Sequence, residues 1–142
     1  MALVPPETLS PSKVSSFTDC ALAFRFSAID RLPEAPSEAA TKGTLVHLAL
    51  EHLFEREPEH RTTANAKADL ERAIAELRTD PEFTGLGLDE AAEQAFFAHA
   101  ADLVRTYFTL EDPAAIRPIG LELMLETRLE GLRLRGIIDR LE

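Results

Sequence analysis

The sequence predicts an α+β fold in one domain of residues 1–142, with a mainly helical part over about 9–110 packed on a β-hairpin over about 117–142. Apolar residues recur at helical spacing through the first 110 positions, and an alternation of period two begins after Asp112-Pro113. A length of 142 residues with 45% hydrophobic side chains suits a single domain with a sizeable core.

Composition excludes several classes of protein. A net charge of -10 argues against a free-standing, non-specific nucleic-acid clamp, although basic patches could exist locally. No apolar run reaches the length of a membrane span, and the N-terminus does not resemble a signal peptide, so a cytoplasmic protein is expected. The sequence contains no Gly-x-x-x-x-Gly-Lys-Ser/Thr loop, and therefore no nucleotide-binding site is expected.

The N-terminal segment begins with a Pro-rich stretch, residues 1–8, which is expected to be frayed. Ser10 then has the character of a helix cap, and Pro11 suits the first helical position. This helix is expected to break near Asp19. A connector with two prolines, residues 31–36, follows it.

The next helix is predicted over a largely apolar segment, residues 42–54, in which His47 is flanked by apolar residues. His47 and Glu51 lie one turn apart on one face of this helix. On the helix alone, a hydrogen-bonded core histidine is a better interpretation of His47 than a ligand. Two further amphipathic helices are predicted over residues 64–77 and 89–110. The other three histidines, on or between these helices, are interpreted as surface or packing residues: His52, His60 and His99.

The C-terminal part alternates with period two on both sides of Glu130-Gly131, which predicts two strands joined by a tight turn. Placing the apolar residues of both strands on one face sets Leu129 opposite Leu132. The same register sets Glu122 directly opposite Asp139. Two facing carboxylates repel unless a proton or a cation lies between them, so this pair is a candidate site. The alternative, a solvated polar face on which the two side chains splay apart, is equally compatible with the pattern.

Three segments together resemble the RecB-family nucleases of the PD-(D/E)XK superfamily, specifically their N-terminal portion. They are Leu9-Ser10-Pro11-Ser12 running to Cys20 and Phe24, then Lys42-Gly43-Thr44-Leu45-Val46-His47, and finally Gly136-Ile137-Ile138-Asp139-Arg140. The order and separation of these segments fit the family along essentially the whole chain. The resemblance implies that the hairpin begins a restriction-endonuclease-like sheet.

The resemblance also implies that His47 and Asp139 are catalytic residues that bind Mg²⁺ or Mn²⁺ in a phosphodiesterase site. Such a cation polarises the scissile phosphate and lowers the pKa of the attacking water. Glu122 is added as a third metal ligand, on the register argument and not on a family motif. The implied function is DNA hydrolysis in recombination or repair, with DNA as the substrate and a helicase subunit or domain as a potential partner.

One departure from the family affects the predicted activity. In the family, the strand after the Gly-x-x-Asp segment carries Asp or Glu, any residue, and Lys, whereas here only Arg140, Leu141 and Glu142 follow Asp139. We therefore expect the chain to be truncated at its C-terminus and to be inactive alone. The competing interpretation is a non-catalytic domain that contacts protein or DNA through a degenerate nuclease fold. A weaker alternative is an unrelated helical adaptor.

Cys20 corresponds to the first of four cysteines that hold a 4Fe-4S cluster in some family members. The other three cysteines are absent from these 142 residues, so a cluster is expected only in a longer parent protein that supplies them. In this chain Cys20 is expected to be a buried free thiol.

Overall fold

The computed structural model describes residue 4 and residues 6–142. Within this part, helices dominate and the strands form one small mixed sheet, which confirms the predicted α+β fold. In chain order the elements are β1 (Thr8–Leu9), α1 (Pro11–Asp19), α2 (Ala21–Phe24), a π-helical turn (Arg25–Ile29), α3 (Glu38–Glu55), a 3₁₀ turn (Pro58–His60), α4 (Thr63–Leu77), α5 (Pro81–Thr84), α6 (Glu90–Leu110), β2 (Gly120–Leu129) and β3 (Leu132–Leu141).

The chain divides into two compact units. The hairpin unit contains Met1–Glu34 and Glu122–Ile138, and the helical unit contains Ala35–Leu121 and Asp139–Glu142. The strands β2 and β3 therefore each contribute residues to both units.

In the hairpin unit, β3 lies between β1 and β2. Thr8 and Leu9 pair in parallel with Arg133 and Leu134, so the expectation of a frayed segment is wrong for Thr8. Residues 1–3 and 5, for which fraying was also expected, lie outside the described residues. As predicted, α1 begins at Pro11 and ends at Asp19, and the Ser10 hydroxyl accepts a hydrogen bond from the backbone N–H of Lys13.

The turn of the hairpin is the one that the sequence predicts. Glu130 and Gly131 have φ values of 50° and 87°, as a two-residue turn with left-handed residues at both positions requires. The register is wrong by one residue at the other end, because the N–H of Ile119 donates to the carbonyl of Leu141 at 2.7 Å, where Gly120 was expected. Between the turn and this bond, β2 therefore holds one residue more than β3. Glu122 lies in this stretch, and its φ of 47° is the left-handed backbone conformation of one class of β-bulge.

The helical unit has a continuous hydrophobic core contributed by α3, α4, α5 and α6. Leu45, Ala49 and Leu53 of α3 are fully buried, and their spacing of four residues forms an apolar stripe along one face of the helix. The hairpin unit differs, because Phe24 is the one buried hydrophobic residue among its described residues. No helix in the described ranges is both long enough and apolar enough to cross a membrane.

Arg61 is a buried arginine that closes the C-terminal end of α3. Its guanidinium donates to the carbonyl oxygens of Phe54 and Arg56 at 3.1 and 2.9 Å. It also donates to those of Pro113 and Ile116, in the segment between α6 and β2, at 3.3 and 2.9 Å. Arg61 therefore satisfies carbonyls that the helix end leaves without partners, and it fixes the path of the chain into β2.

The ion pair between Arg56 and Asp69 provides a test of how α3 and α4 are held together. Arg56 donates two hydrogen bonds, both of 2.7 Å, to a carboxylate that is only 3% exposed. Arg56→Ala leaves that carboxylate buried without its cation. Arg105→Ala breaks an exposed pair with Asp102 on α6. We expect both variants to lower the free energy of unfolding, and the decrease in Arg56→Ala should be roughly three to five times the decrease in Arg105→Ala.

Denaturation by urea, monitored by circular dichroism, measures both losses. Equal, small losses in the two variants would show that the buried pair does not hold α3 on α4.

Candidate metal centre

His47 projects from the exposed side of α3. The helix begins after Ser37, whose hydroxyl accepts from the backbone N–H of Ala40, and it buries Leu45 and Ala49 on the opposite side. The His47 side chain is 59% exposed. This exposure rules out the interpretation of His47 as a core histidine and leaves its ring nitrogens accessible to a ligand.

Asp139 lies beside His47 within the helical unit. The distance from Nδ1 of His47 to Oδ1 of Asp139 is 3.6 Å, and the Asp139 side chain is 65% exposed. This contact is an ion pair only if the imidazole is protonated. A neutral imidazole and a carboxylate instead offer two ligand atoms on the same side, as a cation site requires.

Glu122 lies in β2 at the point where the hairpin departs from the predicted register. It is the first residue of the second segment of the hairpin unit, and it directly follows Leu121 of the helical unit. Its left-handed backbone costs free energy in a residue other than glycine. Strained residues of this kind are concentrated at functional sites.

Arg140, the neighbour of Asp139, is anchored by the end of α6. Its two terminal nitrogens donate to the two carboxylate oxygens of Glu111 at 2.6 and 2.9 Å. One of them also donates to the hydroxyl of Tyr107 at 2.8 Å, and that hydroxyl donates to Glu111. The guanidinium lies 4.9 Å from the centre of the Phe54 ring on α3.

The protonation states of this cluster reinforce one another. The hydrogen bonds from Arg140 lower the pKa of Glu111, and the bonded carboxylate in turn raises the pKa of Arg140. Burial and the hydrogen bond to Glu111 raise the pKa of Tyr107. The cluster therefore holds a carboxylate, a guanidinium and a neutral phenol throughout the physiological pH range.

The sequence analysis assigned no role to Arg140, although a signal was available. Arg140 is the last residue in a series of alternate positions along β3. The other residues of this series are apolar or glycine: Leu132, Leu134, Gly136 and Ile138. A charged residue in such a series needs a partner of opposite charge when the strand packs on another element. The partner, Glu111, lies 29 residues earlier in the sequence, at the end of α6.

For three other residues, the structure shows an exposure or a partner that the sequence did not establish. Cys20 is exposed, so the expectation of a buried thiol is wrong. This residue lies between the end of α1 and the start of α2. His52 is a buried packing residue whose Nε2 lies 3.1 Å from Glu76. His99 has a partner that the sequence did not reveal, since its Nδ1 lies 3.1 Å from the ammonium nitrogen of Lys42.

One of three comparisons with known proteins identified a family for this chain. A family model described as the PD-(D/E)XK nuclease superfamily matches residues 8–142. No curated protein and no solved structure matched the chain. Nucleases of this superfamily act on DNA and generally use divalent metal ions, for which a histidine and a carboxylate side by side are suitable ligands. The chain belongs to the PD-(D/E)XK nuclease superfamily.

Proposed function

We propose that this chain carries the metal-binding part of a RecB-family, exonuclease-like DNA nuclease that acts in recombination or repair. His47, Asp139 and Glu122 bind one Mg²⁺ or Mn²⁺ ion, and His47 and Asp139 are the catalytic residues. The observation that carries the proposal is the 3.6 Å separation between ligand atoms of two exposed side chains, His47 and Asp139.

The geometry of the pair suits a small divalent cation. Two neighbouring ligands of an octahedral Mg²⁺, each about 2.1 Å from the ion, are about 3 Å apart. The separation in the structure is slightly larger, so a small rotation of either side chain would bring both atoms into range. Because both side chains are exposed, further positions on the ion stay open to water and to a phosphate group.

Glu122 is proposed as the third ligand on the basis of its place in the hairpin. The register counted from the turn at Glu130-Gly131 supports this assignment, because it sets Glu122 opposite Asp139. A second carboxylate would balance the charge of the cation and would relieve the repulsion between the two acidic groups.

The bound cation supplies charge stabilisation at the phosphate and a water of lowered pKa. Asp139 holds the ion with a negative charge, and His47 offers a neutral nitrogen and restricts its position. Cleavage in the family also uses an Asp or Glu and a Lys on a following strand, and the residues after Asp139 in this chain are Arg140, Leu141 and Glu142. The alternative function is a non-catalytic domain that contacts protein or DNA through a degenerate nuclease fold.

The first prediction concerns metal binding by the 142-residue chain. We expect weak binding of Mn²⁺, because two or three protein ligands leave most of its positions to water. His47→Ala and Asp139→Asn should each weaken Mn²⁺ binding about tenfold or more. Loss of the hexaaquo Mn²⁺ signal in electron paramagnetic resonance measures the fraction of the ion that is bound.

Matched controls for metal binding are His60→Ala and Asp102→Asn, which change an exposed histidine and an exposed aspartate elsewhere in the helical unit. Both should bind Mn²⁺ like the unaltered chain. If all four variants bind equally, the cation site is not at His47 and Asp139.

The second prediction concerns activity on DNA. The 142-residue chain should leave linear DNA intact in Mg²⁺ or Mn²⁺, because it lacks the Asp/Glu-x-Lys segment. If the reading frame continues into such a segment, the extended chain should degrade linear DNA, and Asp139→Ala should abolish that activity with little loss of stability.

Gel analysis of end-labelled DNA, with a melting curve for each variant, distinguishes the possibilities. Undiminished cleavage by extended Asp139→Ala would refute the metal assignment. An extended chain that binds DNA without cutting it would favour the interaction domain.

A further inference from the structure

We propose that Arg140 is a positioning residue for the metal centre: by binding Glu111, Tyr107 and Phe54 it holds the adjacent Asp139 beside His47. The inference rests on the proposed function, since it concerns how the same site is kept in a binding geometry. In this role Arg140 contacts neither the metal nor the substrate and acts only through Asp139.

The contacts of Arg140 define one orientation of its side chain. A bidentate pair with a carboxylate fixes both the distance and the plane of a guanidinium, which a lysine ammonium cannot reproduce. In Arg140 the plane is fixed by Glu111, one edge is held by the Tyr107 hydroxyl, and the guanidinium lies over the Phe54 ring. The side chain is 24% exposed, so these contacts are only partly screened by water.

These contacts connect the strand that carries Asp139 to the helix that carries His47. Phe54 and His47 are both on α3, seven residues or about two turns apart, and therefore lie on the same side of the helix. Asp139 and Arg140 are consecutive residues of β3. When Arg140 is held over Phe54, the backbone of Asp139 is held along the same side of α3, where its carboxylate lies 3.6 Å from the His47 ring.

The charge of Arg140 is compatible with a neighbouring cation. A free guanidinium next to a metal site would repel the ion, but Arg140 is paired with Glu111 and also with Glu142, the latter at 2.6 Å. The cluster thus places a rigid group next to Asp139 without adding an uncompensated positive charge.

The test compares variants of Arg140 in the full 142-residue chain. Arg140→Ala should weaken Mn²⁺ binding about tenfold, the size of effect typical when a group that orients a metal ligand is removed. Arg140→Lys and Glu111→Gln, which are less disruptive, should each weaken it by a smaller factor. Thermal unfolding of the same samples shows which variants are folded at the temperature of the binding measurement.

Arg56→Ala is the matched control, because it removes a bidentate arginine–carboxylate pair at the end of α3, the helix that carries His47, without changing the contacts of Arg140. It should lower the melting temperature and leave Mn²⁺ affinity unchanged. If Arg140→Lys and Glu111→Gln are folded and bind Mn²⁺ with the affinity of the unaltered chain, Arg140 contributes to stability only and the proposal is overturned.

A metal-free measurement separates this proposal from the proposed function. The carbon-bound ring protons of His47 should shift in the NMR spectrum when Asp139 is changed to Asn, and Arg140→Lys or Glu111→Gln should move the same resonances in the same direction. If the unaltered chain binds no Mn²⁺, the proposed metal function fails while these shifts still decide whether Arg140 positions Asp139. Unchanged His47 resonances in both variants would overturn the positioning role.

Discussion

The ring of Phe54, near the C-terminal end of α3, is the surface on which Arg61, Arg140 and Tyr107 meet beside the candidate metal centre. The guanidinium groups of Arg61 and Arg140 lie 4.8 and 4.9 Å from its centre, and the Tyr107 ring meets it edge-on. Two cations near one ring repel each other, and Arg140 contributes to lowering the pKa of Arg61, although burial is the main cause. Polar partners offset this repulsion, because Arg61 binds four carbonyl oxygens and Arg140 binds the carboxylates of Glu111 and Glu142.

This cluster joins segments that are far apart in sequence. Arg61 ties the end of α3 to the segment that leads into β2, and Arg140 ties the end of β3 to α6. The pair of His47 and Asp139 needs this connection, because its own side chains are exposed and an exposed pair contributes little stability. In the proposal made above, the partly buried Arg140 and its partners hold the geometry of the candidate metal centre, and the contact between its two ligands does not.

Local patterns were sufficient to predict much of the fold. The cap at Ser10 and the turn at Glu130-Gly131 both depend on residues close in sequence, and the structure confirms them. The contacts that the sequence did not reveal, Arg140 with Glu111 and His99 with Lys42, join residues far apart in sequence. The bulge at Glu122 was missed because alternation of period two continues through it, so the pattern contains no sign of an extra residue. The pairing of His47 with Asp139 came from a family resemblance, since neither residue alone indicates the other.

The central claim is that the His47 ring and the Asp139 carboxylate bind the same cation. Pulsed electron paramagnetic resonance of the Mn²⁺-loaded chain tests it most directly, because an imidazole nitrogen bound to Mn²⁺ produces a ¹⁴N modulation that water and carboxylate ligands do not. We expect this modulation in the unaltered chain, its loss in His47→Gln and its loss or marked weakening in Asp139→Asn. A modulation that persists undiminished in His47→Gln would contradict the account.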